Sequence, residues 1–124
     1  MSRFLESALE DGRVEVWGSL QTRWPVVHSE DNALAYRLVL ERGQAGQSYC
    51  VAAETGVWVA EMAAVIGQRF GLKTDPWVRE VSDVVKEHGE WACGPALDQQ
   101  ISGEKIMRTL GWSPRFTNIL AEIG

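Results

Sequence analysis

Arg23-Trp24-Pro25-Val26-Val27-His28-Ser29-Glu30-Asp31-Asn32-Ala33-Leu34-Ala35-Tyr36 decides how this chain is read, because it carries a strand directly into a helix. Trp24 to His28 is apolar and extended, and Pro25 places that strand at a sheet edge or at its own start. Ser29 or Asp31 caps the helix that follows. Leu34, Ala35, Leu38 and Val39 give that helix an apolar face, and Gly43 stops it.

Working outward, Ser2 to Leu9 reads as a helix capped by Ser2, with Phe4, Leu5, Ala8 and Leu9 on one face, ended by Asp11-Gly12. Arg13 to Trp17 alternates like a half-buried strand. Ser48 to Ala53 is a short strand candidate. Val57 to Phe70 reads as a helix with Trp58, Met62, Val65, Ile66 and Phe70 facing inward. Pro76, with Asp75 as cap, opens a helix running through Val78, Val81, Val84 and Val85 to His88. Glu90 to Ile101 is loop, Ser102 caps a short helix ending at Leu110-Gly111, and Ser113-Pro114 starts a last helical turn. The expected fold is a single α+β domain over residues 1–124, helix-rich, with about five helices and two or three short strands.

The 124 residues are 45% hydrophobic and 23% charged, with six tryptophans and a net charge of −5. That composition supports a folded core and differs from that of disordered chains. An acidic balance without a Lys/Arg cluster argues against nucleic acid and against acidic membranes as partners. No apolar stretch is long enough to span a bilayer, and the N-terminus has no signal-like apolar run, so a soluble cytoplasmic protein is expected. Cys50 and Cys93 lack any metal-type spacing and read as free thiols.

The opening stretch resembles the start of the substrate-binding region of NAD-dependent epimerase/dehydratase-like proteins, the extended and atypical short-chain dehydrogenase/reductases. There an Arg–aromatic–x–x–His–x–x–Asp–x–Ala run follows a strand and opens a helix. Gln44 to Val57 is similar to that family's glycine turn and strand, and Ala60 to Gly67 to the helix that follows. Gly89, Trp91-Ala92, Ala96-Leu97-Asp98, Ser102 and Leu110-Gly111-Trp112-Ser113-Pro114 resemble its C-terminal run. The resemblance implies the C-terminal, substrate-binding portion of such an enzyme. Family features absent from these residues are as informative. Tyr36 is followed at the fifth position by Leu40 rather than Lys, and Gly43-Gln44-Ala45-Gly46 precedes a strand without the helix of a dinucleotide turn. No cofactor, NAD included, and no metal is therefore expected.

Four residues are substrate-binding candidates: Arg23, Trp24, His28 and Trp91. The resemblance makes Arg23 a contact for substrate phosphate, suited to a forked, permanently charged donor. The alternative is a surface arginine stacked on Trp24 or paired with a carboxylate. His28 and Asp31 sit three apart at the strand-to-helix junction, where capping competes with any chemical role. His88-Gly89-Glu90 lacks the cysteines of a zinc deaminase, and Ser102-Gly103-Glu104-Lys105 has no companion motif of a serine acylase. No catalytic residue is assigned. The first expectation is a noncatalytic domain, derived from a sugar-nucleotide epimerase or dehydratase, that forms a homodimer and keeps a small-molecule pocket. The rivals are a subunit completing a separately encoded Rossmann-domain protein and an interaction module without ligand.

Overall fold

The computed structural model describes every residue from Met1 to Gly124. In chain order the elements are α1 (Ser2–Asp11), β1 (Glu15–Trp17), β2 (Arg23–Val26), α2 (Ser29–Arg42), β3 (Glu54–Trp58) and α3 (Val59–Arg69). After these come β4 (Trp77–Arg79), α4 (Val81–His88), a 3-10 turn (Glu90–Cys93), α5 (Glu104–Leu110) and α6 (Ile119–Ile123). The expected α+β class is correct, with one more helix and one more strand than the sequence suggests.

The strands form two small ribbons. β1 and β4 pair in parallel, with Glu15 opposite Trp77 and Trp17 opposite Arg79. β2 and β3 pair antiparallel, with Arg23 opposite Trp58, and the register shifts between Trp24 and Val26. Pro25 sits at that shift. It has no N–H to give the ladder, so the irregularity falls where a donor is missing.

Three apolar clusters hold these elements. The largest joins Phe4 and Ala8 of α1 and Val14 and Val16 around β1 to Val57, Val59, Met62, Ala63 and Ile66, closed by Ile123. A second joins Ala35 and Leu38 of α2 to Ile106 and Leu110 of α5 around Trp112. The third gathers Trp17, Val84 and Ala92. At Gly103 the chain passes so close to the second cluster that a Cβ there would lie 2.4 Å from the Ala52 carbonyl oxygen and 3.1 Å from the Trp112 ring. Only glycine permits that approach.

Several boundaries differ from expectation, each for a tertiary reason. Ser48 to Ala53 forms no strand; Ala53 N–H reaches Val26 O, while Tyr49 and Val51 pack on the Trp112 cluster. Trp77 to Arg79 is strand rather than helix, since it finds β1 as partner, and α4 starts only after Glu80. The last helix begins at Asn118, whose side chain caps it, and not at Ser113-Pro114. His28, rather than Ser29 or Asp31, caps α2. No side chain caps α1, which begins at Ser2 with Met1 in the cap position.

Trp58 is the largest correction. It ends β3 and leaves α3 to begin at Val59, and it is 41% exposed under the Arg23 guanidinium, whose carbon lies 4.9 Å from the ring centre. Trp58→Ala should therefore lose only ~1 kcal/mol, the worth of an exposed cation–π contact and partial burial. Urea unfolding checks this, and a loss above about 3 kcal/mol would return Trp58 to the core.

Candidate functional site

The first turn of α1, β1, β2 and the segment from Trp91 to Gln99 enclose a cleft of about 570 Å3. Its walls are Phe4, Trp17, Trp24 and Trp91, with Pro25 and Pro95 between them. Phe4 stacks on Trp24 with ring centres 5.1 Å apart, and Trp17 lies 5.6 Å from Trp91 and 5.1 Å from His88. The indole N–H groups are all engaged within the protein. Trp17 Nε1 donates to Glu15 Oε1 at 2.8 Å, Trp24 Nε1 to Pro95 O at 3.0 Å and Trp91 Nε1 to His88 O at 2.6 Å. With their donors occupied, the three indoles can offer a ligand only ring surface, which suits stacking rather than hydrogen bonding.

Polar groups stand at defined places around the rings. The Arg3 guanidinium lies 4.5 Å from the Trp17 ring centre, and Glu6, Glu15 and Gln99 also line the cleft. Glu15 is buried and accepts from Arg79 Nη1 at 2.9 Å as well as from Trp17. Burial pushes its carboxyl up, but the hydrogen bonds from Trp17 and Arg79 and the charges of Arg79 and Arg3 together hold it below the ordinary value. Glu15 is thus an ionised group whose Oε1 is held by both Trp17 and Arg79.

Arg23 and Trp24, adjacent on β2, do different work. Arg23 Nε and Nη2 donate to the two oxygens of Asp98 at 3.0 and 2.8 Å, and its backbone N–H donates to Oδ1 at 2.8 Å. The Gln100 amide, with its oxygen toward the guanidinium, accepts from Nη1 and Nη2 at 2.7 Å. Asp98's hydrogen bond raises the Arg23 pKa, and Arg23's hydrogen bond lowers that of Asp98. The fork therefore ties β2 to the segment that carries Pro95 and Gln99, with Trp58 as its stacking partner.

His28 lies apart from the aromatic cleft. Its Nδ1 accepts from Glu30 N–H at 3.2 Å, and the ring stacks on Phe116 with centres 3.9 Å apart. It borders a smaller cavity with Ser29, Glu54 and Phe116. Asp31, only 2% exposed, receives Arg115 N–H at 3.0 Å to each oxygen and Phe116 N–H at 2.9 Å. Its carboxylate is spent on the turn after Trp112.

Of the four sequence candidates, the fold brings Trp24 and Trp91 into one cleft, sets Arg23 beside it and places His28 elsewhere. Phe4, Arg3, Glu15 and Trp17 were not foreseen as cleft residues. They come from α1 and β1, whose apolar alternation signalled only a core, and nothing local marks a wall completed some 75 residues later. Both cysteines are free and exposed, and no group of three or more His, Cys, Asp or Glu side chains converges as a metal site. No helix is long and apolar enough to cross a membrane.

No protein-family model matches the chain. It is 33% identical over 100 residues to the uncharacterised Saccharomyces cerevisiae protein YLL056C and 31% identical over 101 residues to the uncharacterised Schizosaccharomyces pombe protein C2A9.02. Each match takes in 81% of this chain but 33% of the relative, so the chain spans about a third of the length of the curated proteins it matches. Among solved structures, dTDP-glucose 4,6-dehydratase from Bacillus anthracis, in complex with NAD, superposes with a TM-score of 0.71 at 20% identity, over 97% of this chain and 36% of the enzyme. DesIV, a dTDP-glucose 4,6-dehydratase from Streptomyces venezuelae, gives 0.70 at 22% identity over 97% and 34%. UDP-glucuronic acid 4-epimerase from Bacillus cereus gives 0.66 at 13% over 92% and 33%. The chain thus has the fold of about a third of an enzyme of the NAD-dependent epimerase/dehydratase family.

Proposed function

We propose that this chain is a noncatalytic, self-associating lobe of the epimerase/dehydratase fold that binds a ring-bearing small molecule. The aromatic cleft carries this reading, since about 570 Å3 is within the range of small-molecule sites and its walls present three indole faces and a phenyl ring. The noncatalytic part rests on the state of the candidate groups. Asp31 and Glu15 are engaged in internal hydrogen bonds, His28 caps a helix, and neither Tyr36 nor Tyr49 is followed at the fifth position by Lys. Self-association is supported by apolar side chains left in water, among them Leu40 at 87% exposure.

The solved neighbours named for dTDP-glucose and UDP-glucuronic acid supply the probes. A base or sugar ring would lie between the indoles, with Arg3 placed to meet a phosphate. dTDP-glucose or UDP-glucuronic acid at about 1 mM, a range where weak sites fill, should quench tryptophan fluorescence and raise the melting temperature. Trp24→Ala and Trp91→Ala should remove both responses, and NAD should cause neither. Arg23→Ala should weaken them by freeing the wall that carries Pro95 and Gln99, whereas Lys73→Ala should leave them unchanged. No response to either sugar nucleotide, or one indifferent to Trp24, would overturn the assignment.

A further inference from the structure

We infer that the aromatic cleft takes a zwitterion of the class of a free aromatic amino acid, its ring on Trp24 and Trp91, its carboxylate on Arg3 and its ammonium on the unpartnered oxygen of Glu15. The inference rests on the small-molecule reading of the cleft proposed above and names the charges its ligand carries. Both charged side chains line the cleft. The Arg3 guanidinium lies over the Trp17 ring, 4.5 Å from its centre, and makes no ion pair or hydrogen bond with the rest of the chain, so its donors are free for an anion. On Glu15 the two oxygens differ. Oε1 accepts from Trp17 Nε1 at 2.8 Å and from Arg79 Nη1 at 2.9 Å, whereas Oε2 accepts from no group of the protein. Glu15 is only 8% exposed, so that oxygen has little water around it, and a ligand N–H recovers the free energy that an unmet buried acceptor costs.

The two free groups together select against simpler ligands. A lone anion drawn to Arg3 meets Glu6 and Glu15 in the same cleft, and a lone ammonium drawn to Glu15 meets Arg3. A ligand of both signs answers both. Its charges need only be close together, because Arg3 and Glu15 attend one indole, the first over the Trp17 ring and the second at its N–H. Arg3 is near enough for its charge to help hold the Glu15 carboxyl below its ordinary value. Arg79 does not cancel Glu15 by itself, since its guanidinium is divided between Glu15 and Glu87. Two carboxylates share one cation, and negative charge is left over for an ammonium. Gln99 adds a neutral acceptor: its Nε2 donates to Gly94 O at 3.0 Å, which leaves Oε1 open in the cleft. Trp24 and Trp91, with their N–H groups taken, offer ring surface on which a phenyl or phenol group stacks.

Phenylalanine, phenylethylamine and phenylpropionate present one ring in three charge states. Each is titrated into the full chain at neutral pH from about 0.1 to 10 mM, the range where weak sites fill, with tryptophan fluorescence as the readout. Phenylalanine should bind at least about tenfold more tightly than either of the others, because each of those leaves one protein charge unanswered. In Arg3→Gln, phenylalanine and phenylethylamine should bind equally. Arg13→Gln removes a guanidinium stacked 4.0 Å from the Trp77 ring, outside the cleft, and should change nothing. Glu15→Gln should erase the advantage of phenylalanine over phenylpropionate. If that variant unfolds through loss of its contact with Arg79, the wild-type titrations and Arg3→Gln decide the matter alone. Phenylalanine no tighter than its single-charge relatives, or an advantage over phenylethylamine that survives Arg3→Gln, overturns the zwitterion. A response to dTDP-glucose with none to phenylalanine overturns it as well, while leaving the small-molecule cleft standing. No response to any of these ligands overturns both readings.

Discussion

Trp112→Ala should destabilise the protein by ~3–5 kcal/mol, the cost of removing a buried aromatic from a site that cannot collapse around the void. Trp112 is 2% exposed and is the centre against which Ala35, Leu38, Ile106 and Leu110 pack. Its surroundings are poorly able to relax. Gly103 is already in contact with the Ala52 backbone behind the ring, and the indole Nε1 donates to Asp31 O at 2.9 Å, anchoring the start of α2. Loss of the ring therefore removes apolar contacts, leaves a cavity between α2 and α5, and takes away the indole's hydrogen bond to the Asp31 carbonyl. Urea unfolding followed by far-UV circular dichroism should show a lower midpoint with an unchanged denaturant slope. A loss under about 1 kcal/mol would mean that α2 and α5 close directly on one another.

Asp31→Ala should cost a comparable ~3 kcal/mol, because it strands the backbone donors of Arg115 and Phe116 where the buried carboxylate had satisfied them. Asp31→Asn should be milder, at about 2 kcal/mol, since one oxygen remains but an amide NH2 now faces the N–H groups. The pH dependence gives an independent test. Burial pushes the Asp31 carboxyl up, yet the backbone hydrogen bonds from Arg115 and Phe116, with the charges of Arg115 and His28, bring it below its ordinary value. A carboxyl lowered by folding binds fewer protons in the native state than in the unfolded one. Its contribution is complete well above the unfolded value of about 3.9, and it is lost as pH falls through the lower folded value. Wild-type stability should therefore fall on acidification from about pH 5 to pH 2, and the Asp31→Asn curve should run flatter over that span. Parallel curves would mean that the other carboxyls lowered in the same direction, Glu15, Glu41 and Asp98, carry the acid sensitivity.

Asp31 and Trp112 also bind the same turn, so their effects should not add. Trp112 holds the Asp31 backbone while the Asp31 side chain holds the two residues at 115 and 116. The double variant should lose less than the sum of the singles, as expected for residues sharing one network.

What the sequence determined by itself is what short-range chemistry determines. Glycine at a helix end is such a signal: Gly12 ends α1 and Gly111 ends α5 in the left-handed conformation, and Gly43 follows α2. The inward residues of α3, Met62 and Ile66, follow from helical spacing, and the acidic, lysine-poor surface from composition alone. The strand-to-helix reading of Arg23 to Tyr36 was correct because both halves carry local signals, a proline-marked extended run and then an apolar period. Of the four residues singled out from the sequence, Trp24 and Trp91 line the cleft, and Arg23 and His28 do not.

Tertiary structure decided the rest, wherever the deciding partner was far along the chain. Trp77-Val78-Arg79 fits a helix by its valine spacing, but β1, some 60 residues earlier, draws it into a ladder. Trp58 has the spacing of a core helix residue, yet pairing with Arg23 keeps it in a strand and turns its ring to solvent. Ser113-Pro114 offers a helix start, but Asp31 takes the N–H groups of Arg115 and Phe116, and the helix waits until Asn118. The cleft follows the same rule. Phe4, Trp17, Trp24 and Trp91 become one surface only when α1, both ribbons and the turn after α4 have packed, and no spacing along the sequence encodes contacts that arise from the closing of those distant pieces.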